Sequence, residues 1–198
     1  MPVRQNRNPE MAKFTTHTIE TAPASSKPIL EEVKNAFGFV PNLHAGMAES
    51  PELVTAYSTL WDLFSKTSFT QVEQQVVYMT ANYENECHYC MAGHTQLAKM
   101  QKIDDAIVQA IRSGKPLADA KLEALHDFTA EVVRNRGFVA DNEVDAFLAA
   151  GYTKRNVLEV VLGVGTKTLS NYTNHILHTQ LDPFMKGAEW SKAASRAS

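Results

Sequence analysis

Cysteine is nearly missing from this chain. Its 198 residues hold two, three positions apart, so no disulfide framework braces the fold, and so short a loop makes a structural staple a poor reading. Long apolar runs are missing as well. No stretch reaches the roughly 20 apolar residues that a membrane-spanning helix needs. The opening MPVRQNRNPEMA carries two arginines with no apolar segment behind them, so no secretory leader is expected and a cytoplasmic location is. An excess of charge is also lacking: 19 Lys and Arg against 22 Asp and Glu leave a formal charge of -3. With the basic residues scattered, neither nucleic acid nor a membrane surface is an expected partner. Finally, no segment alternates apolar and polar residues between hairpin turns, which removes the main signal for strands.

What is present is helical periodicity broken by stop signals, in a length that suits one domain. Residues 1–26 are polar and rich in Thr, Ser, Ala and Pro and read as an extended arm, residues 27–185 as the helical domain, and residues 186–198 as a tail. A first helix is expected from Lys27 to Phe37, stopped by Gly38, with GFVPNL as a loop after it. Ser50-Pro51-Glu52 has the residues of a helix start, and Leu53, Tyr57, Leu60, Trp61 and Phe64 recur behind it at helical spacing. Thr70 and Glu73 have the form of a capping box for a helix reaching Asn85. Further helices are expected from the cysteine pair to Met100, then over 104–112, 118–136, 141–150 and 153–179. The fold class is therefore all-α. One short repeat stands out: NYEN at 82–85 and NYTN at 171–174 each close an apolar helix shortly before a histidine.

Both cysteines fall in YENECHYCMAGH, residues 83–94. A zinc site needs about four ligands, and Cys87, Cys90 and His94 supply three, with His175 or His178 as distant candidates and no second cysteine pair to complete a tetrahedron. A redox dithiol asks for less. Cys-x-x-Cys brings two sulfurs together, and a helix from Cys90 onward places His94 one turn along on the same face, where an imidazole can take the thiol proton. Cys90 is then the attacking sulfur and Cys87 the resolving one: the Cys90 thiolate attacks a hydroperoxide, becomes a sulfenic acid and condenses with Cys87. Two small buried hydrophobes are the plain alternative.

The frame ENECHYCMAGH, with PILEEVKNAFGFVPNL and SPELVTAY before it and EVVLGVGTKTLSNYTNHILHT after it, resembles the carboxymuconolactone decarboxylase and AhpD-like alkylhydroperoxidase superfamily, in its peroxidase-related branch. The resemblance spans roughly residues 20–185. It implies an AhpD-like all-α fold, homo-oligomers such as trimers or hexamers, and a peroxidase that needs no cofactor and no metal. It also implies a hydroperoxide substrate and a separate thiol reductant as partners. By that resemblance Cys90 attacks, Cys87 resolves, and His94 belongs to a proton relay with a glutamate.

Two positions depart from the family pattern. Where the relay glutamate is expected stands Gln75, and where a second histidine precedes the second cysteine stands Tyr89. A neutral amide shuttles no proton, and a phenol with a pKa near 10 is a poor relay at neutral pH. Glu73 is accounted for by its capping box, and Glu86 beside a thiol would raise the thiol's pKa. Glu84, three residues before Cys87, is therefore the expected partner of His94. His88 is expected at the surface, and His175 and His178 to pack near the active-site helix. Two other functions stay open on the sequence: a cofactor-free decarboxylase or lyase acting on a small lactone acid, and a redox sensor or metal-binding module without catalysis.

Overall fold

The computed structural model describes residues 14–192. Among them are nine α-helices, two short 3-10 turns and no strand. The helices are α1 Lys27–Phe37, α2 Asn42–Met47, α3 Pro51–Ser65, α4 Gln71–Glu84, α5 His88–Met100, α6 Asp105–Ser113, α7 Ala120–Arg134, α8 Asp141–Ala149 and α9 Lys154–Leu177. The start and stop signals act as the chemistry predicts. The Ser50 side chain accepts from the Leu53 amide, and Thr70 and Glu73 close a reciprocal capping box. Gly38 takes the left-handed conformation (φ 82°) that ends α1. Helix α2 was not expected. It begins inside the GFVPNL stretch, where Pro41 supplies the extended residue before its first turn.

Helix α4 is the axis of the molecule. Every residue from Gln75 to Tyr83 is buried, because α5, α6, α7 and α9 all pack against it. One apolar core gathers Phe64, Val77, Met79, Met91, Leu125, Phe128 and Phe147. A second gathers Leu30, Leu43, Met47, Val54 and Tyr57 with both cysteines, and Trp61 packs against the two. Gly163 sets the approach of α9: a Cβ there would fall 2.6 Å from a Phe64 ring carbon on α3 and 2.7 Å from a Val77 methyl on α4. That closeness brings the polar face of α9 against α4 and α5.

The described part of the N-terminal arm is folded onto this body, with Ala22 and Ser26 buried and the Ser26 hydroxyl donating to the Ala48 carbonyl at 2.7 Å. Residues 1–13 of the arm and 193–198 of the tail lie outside the described residues. The rest of the tail is also packed: the Trp190 indole donates to the Arg112 carbonyl at 2.7 Å. No helix of the described residues is long and apolar enough to cross a membrane.

Candidate active site

The turn between α4 and α5 sets the thiols. Glu86 adopts a left-handed conformation (φ 55°), and Cys87 is the N-cap of α5, its amide donating to the Asn82 carbonyl at 2.9 Å. Cys90 then sits in the first turn of α5, where unpaired amides and the helix dipole favour an anion. Both cysteines are free and buried.

Helices α5 and α9 face each other across this site in a ladder of polar contacts. On one rung the Asn174 amide donates to Cys90 Sγ at 3.2 Å and to Cys87 Sγ at 3.7 Å. On the next, Ser170 Oγ lies 3.6 Å from Cys90 Sγ. One turn further, Lys167 Nζ meets His94 Nε2 at 3.0 Å. Positions 167, 170 and 174 share one face of α9 by helical spacing. The repeated Asn-Tyr motifs touch: the Asn171 amide donates to Asn82 Oδ1 at 3.0 Å and the Asn85 amide to Asn171 Oδ1 at 2.9 Å. The short repeat thus marks the seam between α4 and α9.

The two thiols are unequal. Burial pushes the Cys90 thiol up, yet the hydrogen bond from Cys87, the charge of Lys167 and the Ser170 hydroxyl outweigh it and hold Cys90 well below the usual thiol range. Cys87, bonded to that same sulfur and buried, is pushed far up. Of the two, Cys90 is therefore the sulfur favoured as the thiolate.

His94 is neutral here, because burial and then the Lys167 charge push its pKa well down. Its Nδ1 lies 2.7 Å from the Gln75 carbonyl oxygen, which can only accept. The ring proton is accordingly assigned to Nδ1, leaving the Nε2 lone pair for Lys167. Trp61 and Tyr78 pack against the ring, with centroids 5.6 and 5.1 Å away. Trp61, Gln75 and Tyr78 also line a cleft of about 380 Å³ completed by Ser65, Phe69, Gln71, Gln74 and Gln101. No Asp, Glu, Lys, Arg or His lines it.

Cys87, Cys90 and His94 all lie buried along α5 and its N-cap, facing α9, but Glu84 does not join them. Its carboxylate pairs with Arg134 at 2.8 Å and with Lys192 at 3.5 Å. The expectation that Glu84 orients His94 is therefore corrected: the partners of His94 are Gln75 and Lys167. The reason is helical geometry, since nine residues separate Gln75 from Glu84, about two and a half turns, which puts them on opposite faces of α4. Tyr89 serves structure rather than relay, its hydroxyl donating to Asp182 and accepting from the Leu43 amide. His88 is exposed, as expected. His175 and His178, expected to pack near the active-site helix, are exposed instead, and His178 is the left-handed cap of α9.

The zinc alternative finds no support in this arrangement, because both nitrogens of His94 are engaged and an ammonium group stands beside one of them. The set of metal-type side chains that do converge among the described residues is Glu123, His126 and Asp127, outside the thiol site. Sequence reasoning missed Lys167, Ser170 and Asn174. The available signal was their spacing of three and four along α9, ending in the repeated Asn-Tyr motif.

Comparison with known proteins bears on the fold. The sequence model of the carboxymuconolactone decarboxylase family matches residues 51–127, from α3 into α7. No protein of curated function matches the sequence. Among solved structures, an alkylhydroperoxidase AhpD core, a peroxidase-related protein from Ralstonia eutropha JMP134, aligns with a TM-score of 0.77 at 19% identity, covering 91% of this chain and 97% of that one. A peroxidase-related protein from Silicibacter sp. TM1040 aligns with a TM-score of 0.74 at 16% identity, covering 91% and 97%. The debrominase Bmp8, solved as a cysteine-to-alanine variant with 2,3,4-tribromopyrrole, aligns with a TM-score of 0.75 at 15% identity, covering 90% and 96%. The family model thus covers the central helices, under half of the chain, and the solved structures share its fold along nine-tenths of its length.

Proposed function

We propose that this protein is a thiol peroxidase that reduces hydroperoxides through a dithiol and disulfide cycle of Cys90 and Cys87. The observation that carries the reading is the meeting of the two buried sulfurs at the N-terminus of α5, where the Asn174 amide donates to Cys90 Sγ at 3.2 Å and to Cys87 Sγ at 3.7 Å, in surroundings that lower the Cys90 thiol and raise the Cys87 thiol from their ordinary range. A thiolate is the nucleophile, and a neighbouring thiol is what a sulfenic acid needs in order to condense. The Cys90 sulfur attacks the outer oxygen of R–O–O–H, the S–O bond forms as the O–O bond breaks, and Cys90 becomes a sulfenic acid. Cys87 attacks that sulfur and expels water. An external dithiol then reopens the disulfide. His94 positions the site, and Glu84, held by Arg134 and Lys192, stays outside it.

In the same reading the chain works as a homo-oligomer, a second copy covering the apolar outer stripe of α9 formed by Leu158, Val161, Tyr172 and Ile176, all of them exposed in the single chain. The decarboxylase alternative requires neither thiol. Hydroperoxide consumption with dithiothreitol as reductant tests the proposal. Cys90→Ser should reduce turnover to the uncatalysed background, and undiminished turnover in that variant would overturn the assignment.

A further inference from the structure

We propose that Lys167 is both the buried counter-ion of the Cys90 thiolate and the acid that protonates the alkoxide leaving from the peroxide. The first half rests on the burial of Lys167 and on the shared face of α9 that carries it beside the partners of Cys90, and the second rests on the peroxidase reading.

Lys167 is 1% exposed. A lysine taken out of water loses its charge unless an anion or strong acceptors replace the solvent. Among the described residues no carboxylate lies within ion-pair distance of it. Its partners are the His94 Nε2 lone pair at 3.0 Å and the face of the Tyr78 ring at 5.3 Å from the ring centre. Neither carries a negative charge. The group able to become an anion on the same polar seam is Cys90, one rung along the ladder, in contact with Ser170 on the helical turn after Lys167. Ser170 Oγ also lies 3.1 Å from the Lys167 carbonyl, so its single proton is given either to that oxygen or to the Cys90 sulfur. The buried cation and the buried thiol thus solve each other's desolvation problem as an ammonium and thiolate pair.

The other titratable groups around this pair do not compete for the role. His94 on α5 is neutral and its second nitrogen faces an amide. His44 on α2 is pushed down to about 4 by burial and then by Lys167 itself. Tyr57 on α3 and Tyr78 on α4 are pushed up, chiefly by burial, and Cys87 keeps its proton. At neutral pH none of them is both charged and able to give a proton.

The proton count then closes. Attack by the thiolate forms the S–O bond, breaks the O–O bond and leaves RO⁻, so that the negative charge moves from the sulfur to the alkoxide oxygen. Lys167 gives its proton to RO⁻, releasing ROH and a neutral amine. Condensation with Cys87 expels water and forms the disulfide without further change in charge. Reduction by an external dithiol regenerates two thiols, and the Cys90 proton returns to Lys167. The Gln75 that breaks the usual relay is therefore no defect, since the proton arrives from the other side of His94.

The test uses reduced full-length protein and the variants Lys167→Met and Lys167→Arg, each checked for fold by circular dichroism. Iodoacetamide labelling of Cys90 is followed by peptide mass spectrometry from pH 4 to 10, and single-turnover oxidation is followed with cumene hydroperoxide. Wild type should label with a midpoint well below that of a free cysteine. Lys167→Met should label about tenfold or more slowly at pH 6, one pH unit of thiol shift being a tenfold change in thiolate. Lys167→Arg keeps the charge and should label nearly as wild type, yet oxidise at least about tenfold more slowly, because a guanidinium is not deprotonated. Should Lys167→Met fail to fold, Lys167→Gln is read in the same way. An unshifted labelling midpoint in Lys167→Met overturns the counter-ion, and wild-type oxidation rates in Lys167→Arg overturn the acid. If wild type labels as expected but ignores the hydroperoxide, the peroxidase reading and the acid fall together while the ion pair stands.

Discussion

Helix α9 turns the usual helix inside out. Its buried face carries Lys167, Ser170, Asn171 and Asn174, each no more than 5% exposed, whereas its outer face carries Leu158 at 70% and Ile176 at 63%. Burying that many polar groups is unfavourable unless they find partners, and each of these side chains has one, in the thiols, in His94, in the Lys167 carbonyl or in Asn82 and Asn85, although Asn174 Oδ1 has none. The difference separates two uses of one element. The inner face is specified by chemistry, with geometry fixed by hydrogen bonds, and the outer face is an apolar surface of the kind a second copy covers.

Making the inner face apolar is the strongest way to break that contrast. Asn174→Leu deletes the donor shared by both sulfurs, and a hydrogen bond to a charged group is worth about 1.5–3 kcal/mol. Cys90 labelling at pH 6 should slow by about tenfold or more, its midpoint moving upward because the thiolate has lost a donor. A labelling profile identical to wild type would show that Asn174 merely fills space.

Pushing α9 away from its neighbours is expected to act next most strongly. Gly163→Val sets atoms against Phe64 and Val77 where a Cβ alone already approaches within 2.7 Å. Overpacking of this kind costs about 1–3 kcal/mol. The melting temperature should fall by several degrees and Cys90 labelling should lose its low-pH activity, both because the ladder no longer closes.

Glu84→Gln sharpens the boundary of the site. It removes a carboxylate that is held below its ordinary range by Arg134 and Lys192 against the opposing effect of burial. A group so depressed contributes stability above the unfolded carboxylate pKa and loses it as pH falls through the folded value. The variant should accordingly be destabilised at pH 7, by about 1 kcal/mol given the exposed Arg134 partner, with the gap to wild type closing in acid. Hydroperoxide turnover should stay within about twofold of wild type, since both His94 nitrogens are engaged elsewhere; a tenfold loss would return Glu84 to the relay.

The mildest change is expected on the outer face. Ile176→Glu leaves every polar contact of the site in place, so Cys90 labelling should be unchanged while light scattering reports a smaller assembly. An unchanged particle size would remove the α9 stripe as a contact between copies.

Much of this molecule was legible before its structure. Helix starts at Ser50 and Thr70 and the stop at Gly38 are local, so the sequence states them directly. The thiol pair and His94 share one short segment, and their juxtaposition follows from helical spacing. Lys167 was hidden for the opposite reason. A polar face on a long helix normally turns to solvent, and only the docking of α9 through Gly163 reveals that this one turns inward. Glu84 was misplaced because nearness along the chain to Cys87 suggested nearness in space. The turn at Glu86 and the opposite face of α4 separate it from His94.

One experiment bears most directly on the central claim. Reduced protein is mixed with a single equivalent of cumene hydroperoxide, quenched with an alkylating agent and mapped by mass spectrometry. One Cys87–Cys90 disulfide and one equivalent of cumyl alcohol per chain are expected, with sulfenic acid trapped on Cys90 in Cys87→Ser. Two alkylated thiols beside unconsumed hydroperoxide would contradict it.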